Sequence, residues 1–254
     1  MCTLIVMKDV FEEYPLVVAS NRDEHPQRPS AAPKFWTDDP KIFAPRDLVL
    51  GGTWIGVNRY GVFAALTNLD GTPHKKGLGS RGRLLANALR HPSARSAKNW
   101  LDGHLDDRDI GFFTPPPRYN GFNLVLADGD DCYLVVYTEV CAGICTLGSG
   151  VHIITGYGHG PTHAPRARGI MRRWRSIGSP EPGELDALLN FHGDGTPEAA
   201  ACVHDPREFH KTISSMIVRA DREWSKFETW SREGPACGKP FGECITIDIQ
   251  RGRS

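Results

Sequence analysis

The 254-residue sequence carries no net charge: 30 Lys and Arg balance 30 Asp and Glu. Nucleic-acid binding normally selects a basic face, so nothing favours DNA or RNA as a partner. No apolar run approaches the roughly 20 residues needed to cross a bilayer, so no membrane span is expected. Lys8 and Asp9 interrupt the first apolar run and no basic n-region precedes it. A secretory signal is therefore not expected, and a cytoplasmic location is. Cysteines number seven, an odd count without framework spacing, which favours free thiols in a reducing compartment. Neither Cys141 and Cys145 nor Cys237 and Cys244 have the spacing of a structural zinc site, so no metal is expected there. Internal repeats and low-complexity segments are missing too. What is left, 40% hydrophobic and 24% charged, is ordinary globular composition with material for a sizeable core. We read residues 1–254 as a single domain.

The informative stretch is the first two dozen residues. Residues 3–7 and 16–19 read as short buried strands, with Tyr14-Pro15 near the turn between them. The second run ends in Asn21-Arg22-Asp23-Glu24. If Met1 is removed, Cys2 carries a free α-amine beside its own thiol. That amine titrates at roughly pKa 8, so nucleophile and base share one residue. Such a pair needs a carboxylate to hold the ammonium and a cation to favour the thiolate. Asp23 and Arg22 supply those types, and Asn21 can donate to an oxyanion. Strict alternation past Ala19 sends Asn21 and Asp23 to one face and Arg22 and Glu24 to the other. All four line one pocket only if the strand ends there. The bland reading is a buried thiol and a turn.

The rest of the chain reads as strands around helix pairs. Residues 53–58 and 62–67 form a hairpin that places Asn68 at a strand end. Residues 80–90 have helical spacing, with Ser80 as N-cap and Leu84, Leu85, Ala88 and Leu89 as the apolar face. A second helix is expected over 94–101. Residues 122–127 and 132–137 form a hairpin across Asp128-Gly129-Asp130. A strand at 151–154 precedes helices at 165–177, basic on one face, and at 183–191. Strands at 212–218, 224–230 and 245–249 finish the chain. This order suits two stacked antiparallel sheets covered by helices. Residues 25–33 read as a loop over the site, and 70–79 as a surface loop. His159 and His163 sit in a Gly- and Pro-rich stretch, either as surface imidazoles or as candidates for haem iron. Cys202 reads as core and His204, two residues on, as a site candidate. Trp54 reads as core or pocket wall. Arg46 and Asp47 are placed near the same pocket.

Met1-Cys2-Thr3, Asn21-Arg22-Asp23-Glu24, Gly51-Gly52-Thr53-Trp54-Ile55-Gly56-Val57, Ala65-Leu66-Thr67-Asn68 and Ser80-Arg81-Gly82 occur in that order. Cys202-Val203-His204-Asp205-Pro206 and Thr212-Ile213-Ser214-Ser215 follow. Together they resemble the NRDE family, also called the Transport and Golgi Organisation family, over nearly the whole chain. That family resembles N-terminal-nucleophile (Ntn) hydrolases of the bile-salt-hydrolase and penicillin-acylase type. The resemblance implies an α+β fold, an αββα four-layer sandwich of mostly antiparallel sheets. It implies cleavage of a small-molecule, non-peptide amide through a Cys2 acyl-enzyme, without a cofactor, with Arg22, Asp23 and Asn68 in support. By this resemblance Asn68 contributes to the oxyanion hole; by residue type alone it equally closes a turn. Asn21, Glu24, Trp54 and His204 would touch the substrate. Members are also implicated in haem trafficking, so the rival expectation is a carrier of haem or another large apolar ligand in the same pocket. Neither a Cys-Pro dipeptide nor a Cys-x-x-Cys-His run is present, so covalently attached haem is not expected. A purely structural module would have no small pocket at all. Two positions depart from the hydrolase pattern. Thr155-Gly156 stands where many relatives carry an Asn, and Ser20 stands where an Arg three residues before Asp23 is expected.

Overall fold

A computed structural model describes residues 2–70, 74–105, 118–138, 141–160, 164–204 and 211–250. Its strands, in chain order, are β1 (Thr3–Phe11), β2 (Tyr14–Glu24), β3 (Ser30–Phe35), β4 (Ile42–Asp47), β5 (Ile55–Asn58) and β6 (Phe63–Asn68). Helices α1 (Arg81–Ala88) and α2 (Ala94–Leu105) follow. Next come β7 (Phe122–Ala127), β8 (Cys132–Tyr137), β9 (Ala142–Thr146), β10 (Gly150–Thr155) and β11 (Gly158–His159). Helices α3 (Pro165–Trp174) and α4 (Pro182–Leu189) precede β12 (Lys211–Ala220), β13 (Lys226–Glu233) and β14 (Ile245–Asp248).

Two seven-stranded antiparallel sheets result. One has the order β11-β10-β1-β2-β12-β13-β14, the other β3-β4-β5-β6-β7-β8-β9. Three apolar clusters separate the layers. Leu4, Val6, Val18, Phe63 and Val218 fill the space between the sheets. Leu84, Leu85 and Leu101 of α1 and α2 pack with Leu124 and Leu126 on the second sheet. Ile170, Leu185 and Leu188 of α3 and α4 pack with Ile5, Val17 and Ile217 on the first. The layers therefore run α, β, β, α. A central strand in this arrangement is covered on both faces, which is why β1 and β2 read as continuous apolar runs rather than alternating ones. Each large side chain buried this way contributes roughly 1.5–3 kcal/mol.

The elements bear out the sequence reading in outline and revise its boundaries. Tyr14 lies inside β2, and the turn is at Glu12-Glu13. β2 extends to Glu24 because β12 pairs with it along its length, from Leu16↔Ala220 to Glu24↔Lys211. Residues 30–33, expected in a loop, begin β3, which pairs with β4. Ser80 does cap α1, accepting a bond from Arg83 N at 3.3 Å. The basic helix α3 exposes Arg168, Arg172 and Arg173 but buries Arg166 at 1% exposure. Among the described residues no helix is long and apolar enough to cross a membrane.

Candidate active site

Alternation along β1 and β2 decides which side of the first sheet each residue serves. Leu4 and Leu16 belong to the inter-sheet core, Ile5 and Val17 to the helix-side core. Cys2 and Arg22 thus face the second sheet, and Thr3, Asn21 and Asp23 face the helices. The expected single pocket for all four residues of Asn21–Glu24 is corrected by this: the strand does not end, so its side chains divide between two faces.

On the inter-sheet side, Cys2 Sγ lies 3.9 Å from Asp23 O, to which the thiol points. Burial pushes the Cys2 thiol up and the Asp23 charge adds to it; the bond to Asp23 O and, less, the Arg22 charge pull it partly back. Arg22 is itself buried, with its guanidinium 3.9 Å above the half-buried ring of Trp54. It donates to Ser30 Oγ at 3.1 Å and lies 3.9 Å from Glu24. Glu24 also faces Arg28 at 3.7 Å, and Arg28 is clamped by Asp47 at 2.7 Å. Asp47 thus belongs beside the site as expected, while Arg46 turns to the surface and pairs with Asp38. Sequence reasoning did not assign Arg81. At the start of α1, it donates to Gly121 O at 2.8 Å. Burial draws its guanidinium value down, and the charge on Cys2 is the first to hold it up. Its position explains two glycines of the motifs. A Cβ on Gly52 would lie 2.2 Å from Gly82 C, and Thr53 N donates to Gly82 O at 3.1 Å. Only a glycine lets the segment before β5 approach the first turn of α1 so closely and hold Arg81 there.

On the helix side the polar residues are fixed by one another. Asp23 accepts from Thr212 Oγ1 at 2.6 Å and from Arg166 Nη1 at 3.0 Å. Arg166 also donates to Thr3 Oγ1 at 3.0 Å and to Pro197 O at 2.7 Å. Burial pushes the Asp23 carboxyl up, while Arg166 and the Thr212 hydroxyl pull it back. Asn21 donates to both Leu189 O and Ala201 O at 2.8 Å and accepts from Ser215 Oγ at 2.7 Å. With its amide and carbonyl so engaged, Asn21 ties the helix layer to the sheet instead of facing Cys2. Arg166 and Thr212 were missed from sequence. Arg166 lies 143 residues from Asp23, and no local spacing signals the pair.

Asn68 is the last residue of β6 and pairs with Phe122. Its neighbours Ala64, Leu66 and Phe122 belong to the cluster under α1 and α2. The pleat therefore turns Asn68 away from the inter-sheet face of Cys2, which revises the oxyanion role expected for it. Thr67 and Asn123 face inward in its place. Asn123 Nδ2 donates to Thr67 Oγ1 and Thr155 O, both at 3.1 Å, and Thr155 is the strand partner of Thr3. Asn123 Oδ1 is buried without a hydrogen-bond partner. The departure at Thr155-Gly156 is thus backed by an Asn from another strand.

His204 does not join Cys2. It lines a cleft of about 440 Å³ with Ser30, Thr212, Lys211 and Glu233. Two of the cleft's lining residues also touch the site: Ser30 takes a bond from Arg22 and Thr212 gives one to Asp23. His204 Nε2 lies 3.2 Å from Cys202 Sγ. Burial pushes the Cys202 thiol up to about 11, so it is no ready nucleophile. Cys202 is core, as expected. His159 is exposed on β11, 3.1 Å from His152. Met1, His163 and Asp205-Pro206 lie outside the described residues.

The αββα sandwich, with Cys2 at the head of the central strand β1, has the Ntn-hydrolase-like fold. The solved structure of a Caenorhabditis elegans N-acylethanolamine-hydrolyzing acid amidase ortholog superposes on 85% of this chain and 92% of its own, with a TM-score of 0.55 at 8% identity. Such identity shows the shared fold alone. Sequence assigns the family: the family described as TANGO2, Transport and Golgi organisation 2, matches residues 1–230, and the chain belongs to it. The Transport and Golgi organization protein 2 homolog of Bos taurus is 34% identical over 123 residues, 45% of this chain. That match spans only 39% of the bovine protein. Transport and Golgi organization protein 2 of Drosophila melanogaster is 28% identical over 241 residues, 89% of this chain and 74% of its own.

Proposed function

We propose that the protein is a cysteine hydrolase of small-molecule, non-peptide amides, active once Met1 is removed. The observation that carries this reading is Cys2 at the head of β1, its thiol pointing at the backbone of Asp23, with the buried Arg22 on the same face of the sheet and the half-buried Arg81 at the start of α1. Cys2 Sγ attacks the substrate carbonyl carbon while its own α-amine takes the thiol proton. Asp23, held from behind by Arg166 and Thr212, keeps acceptor capacity for the resulting ammonium. Arg22 and Arg81 stabilise the thiolate, and Arg81 takes the electrophilic role expected of Asn68. The ammonium returns its proton to the leaving amine as the C–N bond breaks, leaving a thioester on Cys2. Water then hydrolyses the thioester, giving the carboxylic acid and the free thiol. The unpartnered Asn123 Oδ1 supplies an acceptor for a substrate N–H.

The test is intact mass of untagged protein followed by a screen of N-acyl amides. N-acylethanolamines come first because the fold relative from Caenorhabditis elegans is described as an ortholog of an N-acylethanolamine-hydrolyzing acid amidase. Protein beginning at Cys2 should cleave an amide, trap a thioester adduct on Cys2 and lose both with Cys2→Ala. A C2A variant as active as its parent would sink the proposal.

A further inference from the structure

We infer that His192, Cys202, His204 and Cys237 form a four-ligand metal site that takes Zn²⁺. Their ligand atoms all lie within 4.8 Å of one another. Two of the edges are close: His204 Nε2 is 3.2 Å from Cys202 Sγ and 3.1 Å from Cys237 Sγ. The His192 and His204 rings lie 5.1 Å apart between centroids. With Zn–S at about 2.3 Å and Zn–N at about 2.0–2.1 Å, tetrahedral edges are about 3.3–3.8 Å. Four atoms no more than 4.8 Å apart reach a common tetrahedral centre with shifts of about an ångström. Three of the side chains are exposed and free to do so; Cys202 is the buried one.

The backbone holding these side chains is already set. Ala201 N and Cys202 N both donate to Phe191 O, at 2.7 and 3.0 Å, which locks the Cys202 segment to the one bearing His192. Val203 N donates to Thr212 Oγ1 at 2.8 Å, fixing the segment between Cys202 and His204. Ala236 is buried in the helix-side core and anchors its neighbour Cys237. Two thiolates and two neutral imidazoles favour zinc in a closed, structural site over a hard cation. Binding releases two protons, one from each thiol, and leaves a site of zero net charge.

The ion would staple three segments: the exit of α4, the approach to β12 and, more than thirty residues further on, the turn after β13. The approach to β12 carries Ala201 O, which Asn21 holds, and Val203, which Thr212 holds beside Asp23. Such a site would steady the helix-side support of Asp23 without entering the chemistry at Cys2. It therefore stands or falls independently of the hydrolase reading.

The test uses full-length, tag-free protein kept reduced with a phosphine. It is stripped with chelator and titrated with Zn²⁺ or Co²⁺ alone. One equivalent of Zn²⁺ should survive dialysis and raise the melting temperature. Co²⁺ should give thiolate charge-transfer absorption and the strong visible bands of a tetrahedral ion. Cys237→Ser and His192→Ala, both at exposed positions, should each abolish tight binding and the thermal shift, while Cys141→Ser/Cys145→Ser keeps both. No retained zinc in the reduced protein would overturn the inference. So would binding that survives both single variants, or a Cys202–Cys237 disulfide in protein that takes up no metal after reduction.

Discussion

The ion pair between Asp23 and Arg166 offers the sharpest test of how this fold supports its N-terminus. Both side chains are 1% exposed and their charged atoms are 3.0 Å apart. Arg166→Met keeps the aliphatic stem and removes the charge. It leaves a buried carboxylate with the Thr212 hydroxyl as its remaining partner among the contacts described above. Breaking a buried pair from one side typically destabilises by about 3–5 kcal/mol. In a chain of this size that lowers the melting temperature by about 6–20 °C. The loss must depend on pH. Asp23 is already pushed up by burial, and losing the guanidinium pushes it further. A raised folded-state value means that stability is fully present below the unfolded value, near 3.9, and is lost as pH rises through the folded value. Over that window the variant loses about 1.4 kcal/mol per pH unit. Urea unfolding at pH 5 and pH 8 should therefore show the larger deficit at pH 8. The double variant D23N/R166M, which buries no charge, should be less impaired at pH 8 than R166M. A deficit below about 1 kcal/mol that is flat with pH would refute the reasoning.

Three further outcomes are expected. In protein retaining Met1, the raised Cys2 thiol should alkylate slowly at pH 7 and gain about tenfold per pH unit up to and beyond its ordinary value of 9.0; peptide mapping separates it from the exposed cysteines, and fast, pH-independent labelling would contradict the burial argument. Gly52→Ala should destabilise by about 3 kcal/mol, measured from the urea midpoint, because backbone must move to admit its Cβ beside Gly82. Asn21→Ala should lower stability by about 2–3 kcal/mol by leaving Leu189 O and Ala201 O without its amide, yet leave Cys2 alkylation at pH 9 unchanged; a loss of thiol reactivity instead would return Asn21 to the reactive face.

The resemblance itself rested on short motifs whose reasons the structure supplies. Gly52 and Gly82 recur as glycines because two segments touch there. Arg81 follows Ser80 because the cap starts the helix that aims it. The strand to which Asp23 belongs was legible from its apolar run, but its length was not. β2 continues through four polar residues because β12, almost two hundred residues later, pairs with it.

The local pattern alone determined that this chain builds stacked sheets with helix pairs: continuous apolar runs of β-formers, capped amphipathic helices and Asp-Gly turns are properties of neighbouring residues. It also singled out Cys2 and its polar companions by type. Only the tertiary structure decided which face each companion serves, because the pleat assigns faces only once a strand's extent is settled by its partner. The same holds for Arg166, Asn123 and the His192–Cys237 cluster. Their partners are brought together by layers packing across the chain, and no spacing along the sequence records distances that arise that way.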